Sequence, residues 1–151
     1  MVEAQTFRSL PSSVLQYAQA IFSRKPLLAP PNCEVPDLQI VARDVRPNAA
    51  QVRRYCDVCG ITPSEWLPPA YLHVLAMPLH MRLFTHHAFP ARVLGLVHLR
   101  NVIRQWQPIA INSAVELSAR YNSLRETDSG QEYDLITTAT IAGQVVIRSY
   151  S

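Results

Sequence analysis

The chain has 151 residues, of which 48% are hydrophobic and 17% charged, a composition that suits one globular domain with a core that needs no disulfide or metal. The formal net charge is +3, and 13 of the 14 basic residues are arginine. No apolar run approaches the roughly 20 residues that span a bilayer, and the N-terminal residues lack the apolar core of a signal peptide. We therefore expect a cytoplasmic protein without a membrane span.

The arginine bias has two interpretations. Arginine binds phosphate with a planar fork of donors, so the bias suits a substrate that carries phosphate. It can equally come from the base composition of the genome. We expect no nucleic-acid partner, because the sequence has no basic run interleaved with aromatic residues and no zinc-finger spacing.

The three cysteines, Cys33, Cys56 and Cys59, predict neither disulfides nor a metal site. An odd number argues against a disulfide framework. Cys56 and Cys59 have the spacing C-x-x-C, but zinc needs a second pair and a thioredoxin-like site needs a βαβ context. We interpret them as ordinary thiols and expect no metal and no other cofactor.

The N-terminal part of the chain predicts one helix and one connector. Residues Ser12 to Lys25 place apolar residues at helical spacing behind a serine cap, at Val14, Leu15, Ala18, Ile21 and Phe22. This apolar stripe must lie either on the sheet of the same chain or on a partner. The proline-rich stretch that follows is an extended connector. We therefore divide the chain into an N-terminal helix and connector, residues 1–36, and a main domain, residues 37–151.

The middle of the chain predicts a strand and two helices. Asp37 to Val45 alternates as a strand does, and the helix that follows, Ala49 to Val58, ends at Gly60. A second helix runs from about Pro78 to His86, with proline in its first turn. It is apolar nearly all round, which is typical of a helix buried in a core.

The C-terminal part predicts four successive strands. Val93 to Ile103 is apolar on both alternating faces, which predicts a strand buried on two sides. Ala114 to Leu124, Glu132 to Ala142 and Gln144 to Tyr150 alternate, and short turns join them into an antiparallel meander. A sheet that wraps the single buried helix satisfies this order of elements, with the N-terminal helix as an addition.

The stretch from Tyr71 to Ile109 is the candidate site. It contains all five histidines and four arginines, whereas no acidic residue occurs between Glu65 and Glu116. An anion or an acyl chain is therefore a better ligand for it than a metal or another cation. The alternative is that a buried helix and a core strand leave no room for acids.

Three segments resemble one protein family. They are YCDVCG at residues 55–60, LPPAYLHVLAMP at residues 67–78 and LGLVHLRNVIRQWQPI at residues 94–109. Together they resemble the MaoC-like dehydratases and (R)-specific enoyl-CoA hydratases, over about residues 37–151. The resemblance implies an α+β hot-dog fold, in which an antiparallel sheet wraps a buried central helix.

The chain departs from that family at the catalytic motif. Active members carry Gly-Asp-x-Asn-Pro-x-His, whose aspartate and histidine activate the water that adds to the double bond. Gly60 matches the first position, but Ile61 stands in place of the aspartate and Trp66 in place of the histidine. Pro63 and Ser64 replace Asn-Pro. The chain thus resembles the non-catalytic N-terminal repeat of double hot-dog hydratases.

This resemblance implies a protein that binds an acyl-CoA or acyl-carrier-protein thioester and needs a catalytic hot-dog partner, in a homodimer or heterodimer. Whether the chain is an enzyme by itself stays open, because the usual motif is absent. The alternative is a stand-alone hydratase or a hot-dog thioesterase with a site based on His98, although no carboxylate lies nearby in sequence to orient that ring.

The predicted substrate-binding residues all lie in the candidate stretch. They are Tyr71, His73, Met77, His80, Met81, Phe84, His98 and Arg100. The competing interpretation makes the apolar members of this set ordinary core residues. For His98 it is a buried histidine bonded to a backbone carbonyl, and for Arg100 a solvated surface charge.

Overall fold

The computed structural model of the protein describes residues 3–151, except for the side chain of Ser13. Its elements in chain order are β1 Glu3–Phe7, α1 Ser13–Ile21, β2 Leu38–Val45, α2 Ala49–Cys59, α3 Tyr71–Leu75, α4 Met77–Thr85, β3 Val102–Gln105, β4 Val115–Thr127, β5 Gly130–Ile141 and β6 Gln144–Tyr150. No helix among these residues is long and apolar enough to cross a membrane.

The strands form one six-stranded sheet in the order β1-β2-β4-β5-β6-β3. The pairs β2–β4, β4–β5, β5–β6 and β6–β3 are antiparallel. The turn between β5 and β6 places Ala142 and Gly143 at φ angles of 49° and 78°, the left-handed conformation that a two-residue hairpin needs. The predicted meander of β4, β5 and β6 is therefore confirmed.

Helix α4 lies against the inner face of the sheet and is the centre of the core. Leu79 and Leu83 are completely buried, as are Ile40 of β2 and Leu117 of β4 on the opposing face. The predicted buried helix is confirmed, and Pro78 lies in its first turn, where its missing N–H removes no hydrogen bond. The sheet closes over a helix that has almost no polar side to present to water.

Helix α2 is well defined by its ends. The side chain of Asn48 accepts hydrogen bonds from the backbone N–H groups of Ala50 and Gln51, at 2.9 and 3.1 Å. At the other end Gly60 adopts φ 64°, and its N–H donates to the carbonyl of Asp57. The helix predicted from Ala49 and its glycine terminator are both confirmed.

The strand predicted from Val93 to Ile103, buried on two sides, is wrong in both length and burial. Strand β3 begins only at Val102, and Leu94, Val97 and Leu99 are exposed. Gly95 breaks the run with φ 109°. The short strand lies at the edge of the sheet, where one side has no neighbouring strand within the described chain.

The N-terminal connector supports this edge segment. The backbone N–H of Arg92 donates to the carbonyl of Pro26 at 2.8 Å. A Cβ added to Gly95 would lie 3.0 Å from Cδ1 of Leu27. Ala29, three residues after Pro26, exchanges two hydrogen bonds with the side chain of Gln131 on β5, at 2.7 and 3.1 Å. The connector therefore joins the edge segment to the body of the sheet.

The apolar stripe of α1 does not lie on the sheet. Val14 is 78% exposed and Phe22, just after the helix, is 81% exposed, whereas Gln16 and Ala20 are buried beside α4. The prediction that the stripe lies on the sheet of the same chain is therefore wrong, and a partner stays the other predicted contact. The stripe is an exposed apolar face of the kind that marks an interaction surface.

Strand β1 was not predicted. Residues Glu3 to Phe7 pair in parallel with the first five residues of β2, from Leu38 to Ala42. The sheet therefore has one parallel pair at its edge in addition to its four antiparallel pairs, and at that edge it departs from the antiparallel sheet that the resemblance implies. Gln5 of this strand contacts the imidazole of His86, just after α4, at 3.2 Å.

Substitution of Gly60 isolates the cost of a left-handed backbone. No atom lies within 4 Å of an added Cβ, so strain at φ 64° is the whole effect. We expect Gly60→Ala to lower the free energy of unfolding by about 1 kcal/mol and Gly60→Asn by less, because asparagine tolerates this conformation. Urea denaturation measures both. Equal losses for the two variants would contradict this account.

Candidate functional site

Three histidines form a column that runs from the core to the surface. His80 of α4 and His73 of α3 are buried, and their ring centroids lie 5.2 Å apart. His98, in the edge segment before β3, is exposed and lies 6.3 Å from His73. Two helices and the edge segment thus bring together residues that are 7 to 25 positions apart in the chain.

The two buried rings are held by hydroxyl groups from the inner face of the sheet. Nδ1 of His73 lies 2.8 Å from the hydroxyl of Ser149 on β6, and Nε2 of His80 lies 2.6 Å from the hydroxyl of Thr137 on β5. His98 is held by its own segment, because its Nε2 donates to the carbonyl of Arg100 at 2.8 Å. The column is therefore fixed at three points.

Burial keeps the two inner histidines neutral. Desolvation, followed by the charges of His73 and His98, lowers the pKa of His80 to about 3. Desolvation and His98 also lower the pKa of His73. Among residues 3–151 no Asp or Glu bonds to any of the three rings. The column supplies polar groups in an apolar site, without a carboxylate to complete an acid–base pair.

The loop after α2 carries no group that transfers protons at the motif positions. Ile61 and Trp66 are 40% and 45% exposed, and Trp66 forms a single bridge with Ala110. The hydroxyl of Ser64 accepts the backbone N–H of Trp66 at 3.2 Å, which fixes the loop. The positions that would hold the aspartate and histidine are therefore occupied by apolar side chains in an ordered loop.

An apolar cavity of about 290 Å³ lies between α1 and the start of the helical pair α3 and α4. Two of the predicted substrate-binding residues, Tyr71 and Met77, line it. The other lining residues are apolar or aromatic, namely Leu10, Tyr17, Val74, Leu75 and Pro78. Its size and lining suit a short alkyl group.

A second cavity of about 300 Å³ lies on the outer face of the sheet, beside β3. Arg100, a predicted substrate-binding residue, lines it together with Arg104 and Val102. The far walls are Asn122, Asp134, Tyr150 and Ser151. This cavity is cationic on one side and lies on the opposite face of the sheet from the histidine column.

The remaining predicted residues, Met81 and Phe84, line neither cavity. Met81 is buried, and the ring of Phe84 packs edge-on against Phe89 at 5.1 Å and against Tyr121 at 6.3 Å. The structure therefore places seven of the eight predicted residues in a histidine column, two cavities and an aromatic cluster, and the eighth, Met81, in the buried interior. Their role in substrate binding stays a prediction.

Sequence reasoning missed the hydroxyl groups that hold the column. Thr137 and Ser149 are paired with each other across β5 and β6 and are buried on the inner face. The available signal was the polar side chain itself, because Thr137 interrupts the apolar positions Leu135 and Ala139. A buried hydroxyl needs a partner, and only the fold identifies His80 as that partner.

No arrangement for a metal is found in the part of the chain that the structure describes. Cys56 is buried on α2 and Cys59 is exposed, and both are free thiols.

The chain is similar to a curated protein of known activity. The chain is 29% identical over 135 residues to 3-hydroxyacyl-thioester dehydratase X of Mycobacterium tuberculosis, covering 89% of this chain and 48% of the relative. The chain thus spans about half the length of the curated relative it matches. No protein-family model matches the chain.

Solved structures give the same picture. The crystal structure of HtdX from Mycobacterium tuberculosis matches with a TM-score of 0.70 and 29% identity, over 74% of this chain and 48% of that one. The HadBC (3R)-hydroxyacyl-ACP dehydratase complex of the same organism matches with a TM-score of 0.62 and 14% identity, over 74% and 92% of the two chains. The second likeness concerns the fold alone.

The buried histidine makes stability depend on pH in a defined direction. In the unfolded chain a histidine binds a proton near pH 6.5, whereas folded His80 does so only near pH 3. Between these values the unfolded chain binds more protons, so acidification destabilises the fold by up to about 1.4 kcal/mol per pH unit from this residue. Above pH 6.5 its contribution is constant.

We expect His80→Gln to reduce the slope of unfolding free energy against pH between 6.5 and 4. A matched control is His87→Gln, because His87 is exposed. Urea denaturation at a series of pH values measures both slopes. If the slope for His80→Gln and that for the control both equal the slope of the parent protein, His80 binds its proton as readily in the folded as in the unfolded chain, which would contradict this account.

Proposed function

The chain has a hot-dog fold and resembles the MaoC-like hydratases and dehydratases, as its sequence predicts, and from this premise we propose that it is the substrate-binding half of such an enzyme. In this proposal residues 37–151 are the hot-dog unit and residues 1–36 an extension. The unit binds an acyl thioester, and a second hot-dog unit supplies the aspartate and histidine. The reaction class is the reversible dehydration of a 3-hydroxyacyl thioester in fatty acid metabolism.

The loop after α2 carries this proposal. Dehydration needs one group that removes the proton at C2 and one that protonates the leaving hydroxyl. Ile61 and Trp66 offer neither, and among residues 3–151 no Asp or Glu bonds to the rings of the histidine column. The curated relative is a thioester dehydratase about twice as long as this chain, which leaves room for a second unit of similar size.

The free edge of the sheet supports pairing with that second unit. Within residues 3–151 strand β3 pairs with β6 alone, so its outer backbone groups are open to a further strand. The segment before it exposes Leu94, Val97 and Leu99, and Trp106 after it is also exposed. A continuous apolar run beside an open strand is typical of a surface that another chain covers.

The position of the histidine column supports substrate binding at this edge. His98 is the exposed end of the column, two residues from Arg100, and both precede the open strand β3. A thioester that enters between the two units would meet His98 first and the buried rings behind it. The free thiols of Cys33, Cys56 and Cys59 are in keeping with a reducing compartment, and we propose the cytoplasm.

The second candidate is a stand-alone enzyme that uses His98. The observation in its favour is the column itself, in which two buried imidazoles lie behind an exposed one. In the structure, however, His98 forms its hydrogen bond with a backbone carbonyl rather than with a carboxylate. In the family's own pair an aspartate acts together with the histidine, and a backbone carbonyl cannot take that role because it holds no proton to transfer.

We expect the purified chain to bind crotonyl-CoA and not to hydrate it. Binding is measured by isothermal titration calorimetry and hydration by the loss of absorbance of the enoyl thioester. Rates typical of enzymes from the chain alone would contradict the proposal. In that case His98→Ala distinguishes the candidates, since it abolishes turnover only if the histidine acts on the substrate.

We also expect the chain to associate through its β3 edge when no catalytic partner is present. Leu99→Asp places a charge in the exposed apolar run and should shift the chain towards monomer in sedimentation velocity. The matched control is Val58→Asp on α2, since Val58 is 88% exposed and lies on another element. Equal sedimentation of both variants and the parent would exclude this edge as the contact.

A further inference from the structure

We propose that the cationic cavity on the outer face of the sheet binds a phosphate ester, the phosphate end of the pantetheine carrier that holds the acyl group. The inference rests on the proposed function and adds to it a second contact site for the same substrate. The cavity of about 300 Å³ opens beside β3. It is separated by the sheet from the inner face where the histidines lie.

Two arginines give the cavity its charge. Arg100 and Arg104 line it on either side of Val102, and both side chains are exposed. Within the described chain neither forms an ion pair with Asp or Glu. Their guanidinium groups are therefore available to an incoming anion, and arginine is the side chain best shaped to hold phosphate.

The register of the sheet adds a third positive charge. Arg104 of β3 lies directly opposite Arg148 of β6. Like charges at opposed positions destabilise a pair of strands. The Nε of Arg148 is also buried and has no hydrogen-bond partner among the described residues. An anion bound beside Arg104 would reduce the repulsion between the two arginines. Binding of an anion therefore explains why two like charges lie opposite each other here.

The carboxylate that lines the cavity is already held by other residues. Asp134 forms an ion pair with Arg125 and accepts a hydrogen bond from Ser123 at 2.6 Å. Partial burial by itself would raise the pKa of Asp134, but these bonds, with a smaller contribution from Arg100, hold it below its ordinary value. Asp134 therefore stays charged and engaged, and Arg100 and Arg104 keep the cavity cationic.

The cavity also has an aromatic wall. Tyr150 of β6 lies opposite Val102 in the register and lines the cavity with it. Asn122 adds an amide that both donates and accepts hydrogen bonds. An aromatic ring, an amide and two arginines suit an adenine nucleotide as well as a lone phosphate.

The path from this cavity to the histidines is short. The carbonyl of Arg100 accepts the hydrogen bond of His98, whose ring lies 6.3 Å from His73. Arg100 thus lies on the outer face while His98 begins the column that leads inside. A carrier arm that passes round this edge would place its phosphate on the arginines and its thioester near the imidazoles.

The experiment is calorimetric titration of the chain with crotonyl-CoA, crotonyl-pantetheine, crotonyl-4′-phosphopantetheine and 3′,5′-ADP. We expect crotonyl-CoA to bind about tenfold more tightly than crotonyl-pantetheine, which has no phosphate. Arg100→Gln and Arg104→Gln should each remove most of this difference, and Arg104→Gln should leave the binding of crotonyl-pantetheine unaffected. The control is Arg53→Gln on α2, an exposed arginine away from the cavity.

The four ligands distinguish the outcomes. If crotonyl-4′-phosphopantetheine binds as tightly as crotonyl-CoA, the natural ligand is the arm of a carrier protein. If only the ligands that contain the 3′,5′-ADP group bind tightly, the natural ligand is coenzyme A. The inference fails, with the proposed function intact, if both variants bind crotonyl-CoA like the control. If no thioester binds, the proposed function fails. Binding of 3′,5′-ADP that is weakened by Arg104→Gln then still supports the cavity, and its absence overturns both.

A change in stability gives an independent readout of folding. Arg104→Gln removes one member of the opposed arginine pair, so the variant should melt at the same or a higher temperature than the parent. Loss of binding by a variant that is as stable as the parent is thus an effect on the cavity. A lower melting temperature would contradict the repulsion that motivates the site.

Discussion

The enclosure of α4 is the constraint on which the rest of the structure depends. A nine-residue helix with Leu79 and Leu83 fully buried cannot face water on any broad side, so the sheet must curve around it and α1 must cover part of what remains. The same enclosure removes His80 from water. The neutral state of that imidazole is therefore a by-product of the packing that makes the fold, and it places polar groups in an otherwise apolar interior.

The proposed division of labour between two units agrees with the chemistry of this interior. A carboxylate buried next to three imidazoles would hold a proton or an ion pair and would need partners of its own. Here the polar partners are the hydroxyls of Ser149 and Thr137, which orient rings without supplying charge. Such an interior suits the binding of a neutral acyl thioester, and in the proposed function the second unit carries out the proton transfer.

Much of the fold follows from local patterns in the sequence. The cap at Asn48, the glycine at the end of α2, the proline in α4 and the alternation of β4 each have a physical cause within a few residues. The pattern misled between Val93 and Ile103, because continuous apolarity indicates contact with something but does not say whether that is the same chain. The resemblance to the hot-dog dehydratases supplied the topology that periodicity alone left open.

The site was less accessible to sequence reasoning. The histidines were visible as a group, but their order from core to surface depends on helix packing. The outer cavity depends on the β3–β6 register, which brings Arg104 opposite Arg148 across more than forty residues of chain. Strand β1 was missed because five residues, EAQTF, alternate too weakly to be distinguished from an irregular terminus.

The contact between Leu27 and the backbone at Gly95 has a consequence for how the chain is divided. Residues 26–29 support the apolar segment that precedes β3. They contact it at Arg92 and Gly95 and connect it to β5 through the hydrogen bonds of Ala29. A shortened protein that begins at residue 37 would keep every strand from β2 onward. It would lose the residues that support the apolar segment before β3, which is the surface that a second unit would contact. The conformation of the segment before β3 thus depends on the N-terminal extension, so a substitution in either one is expected to affect the other.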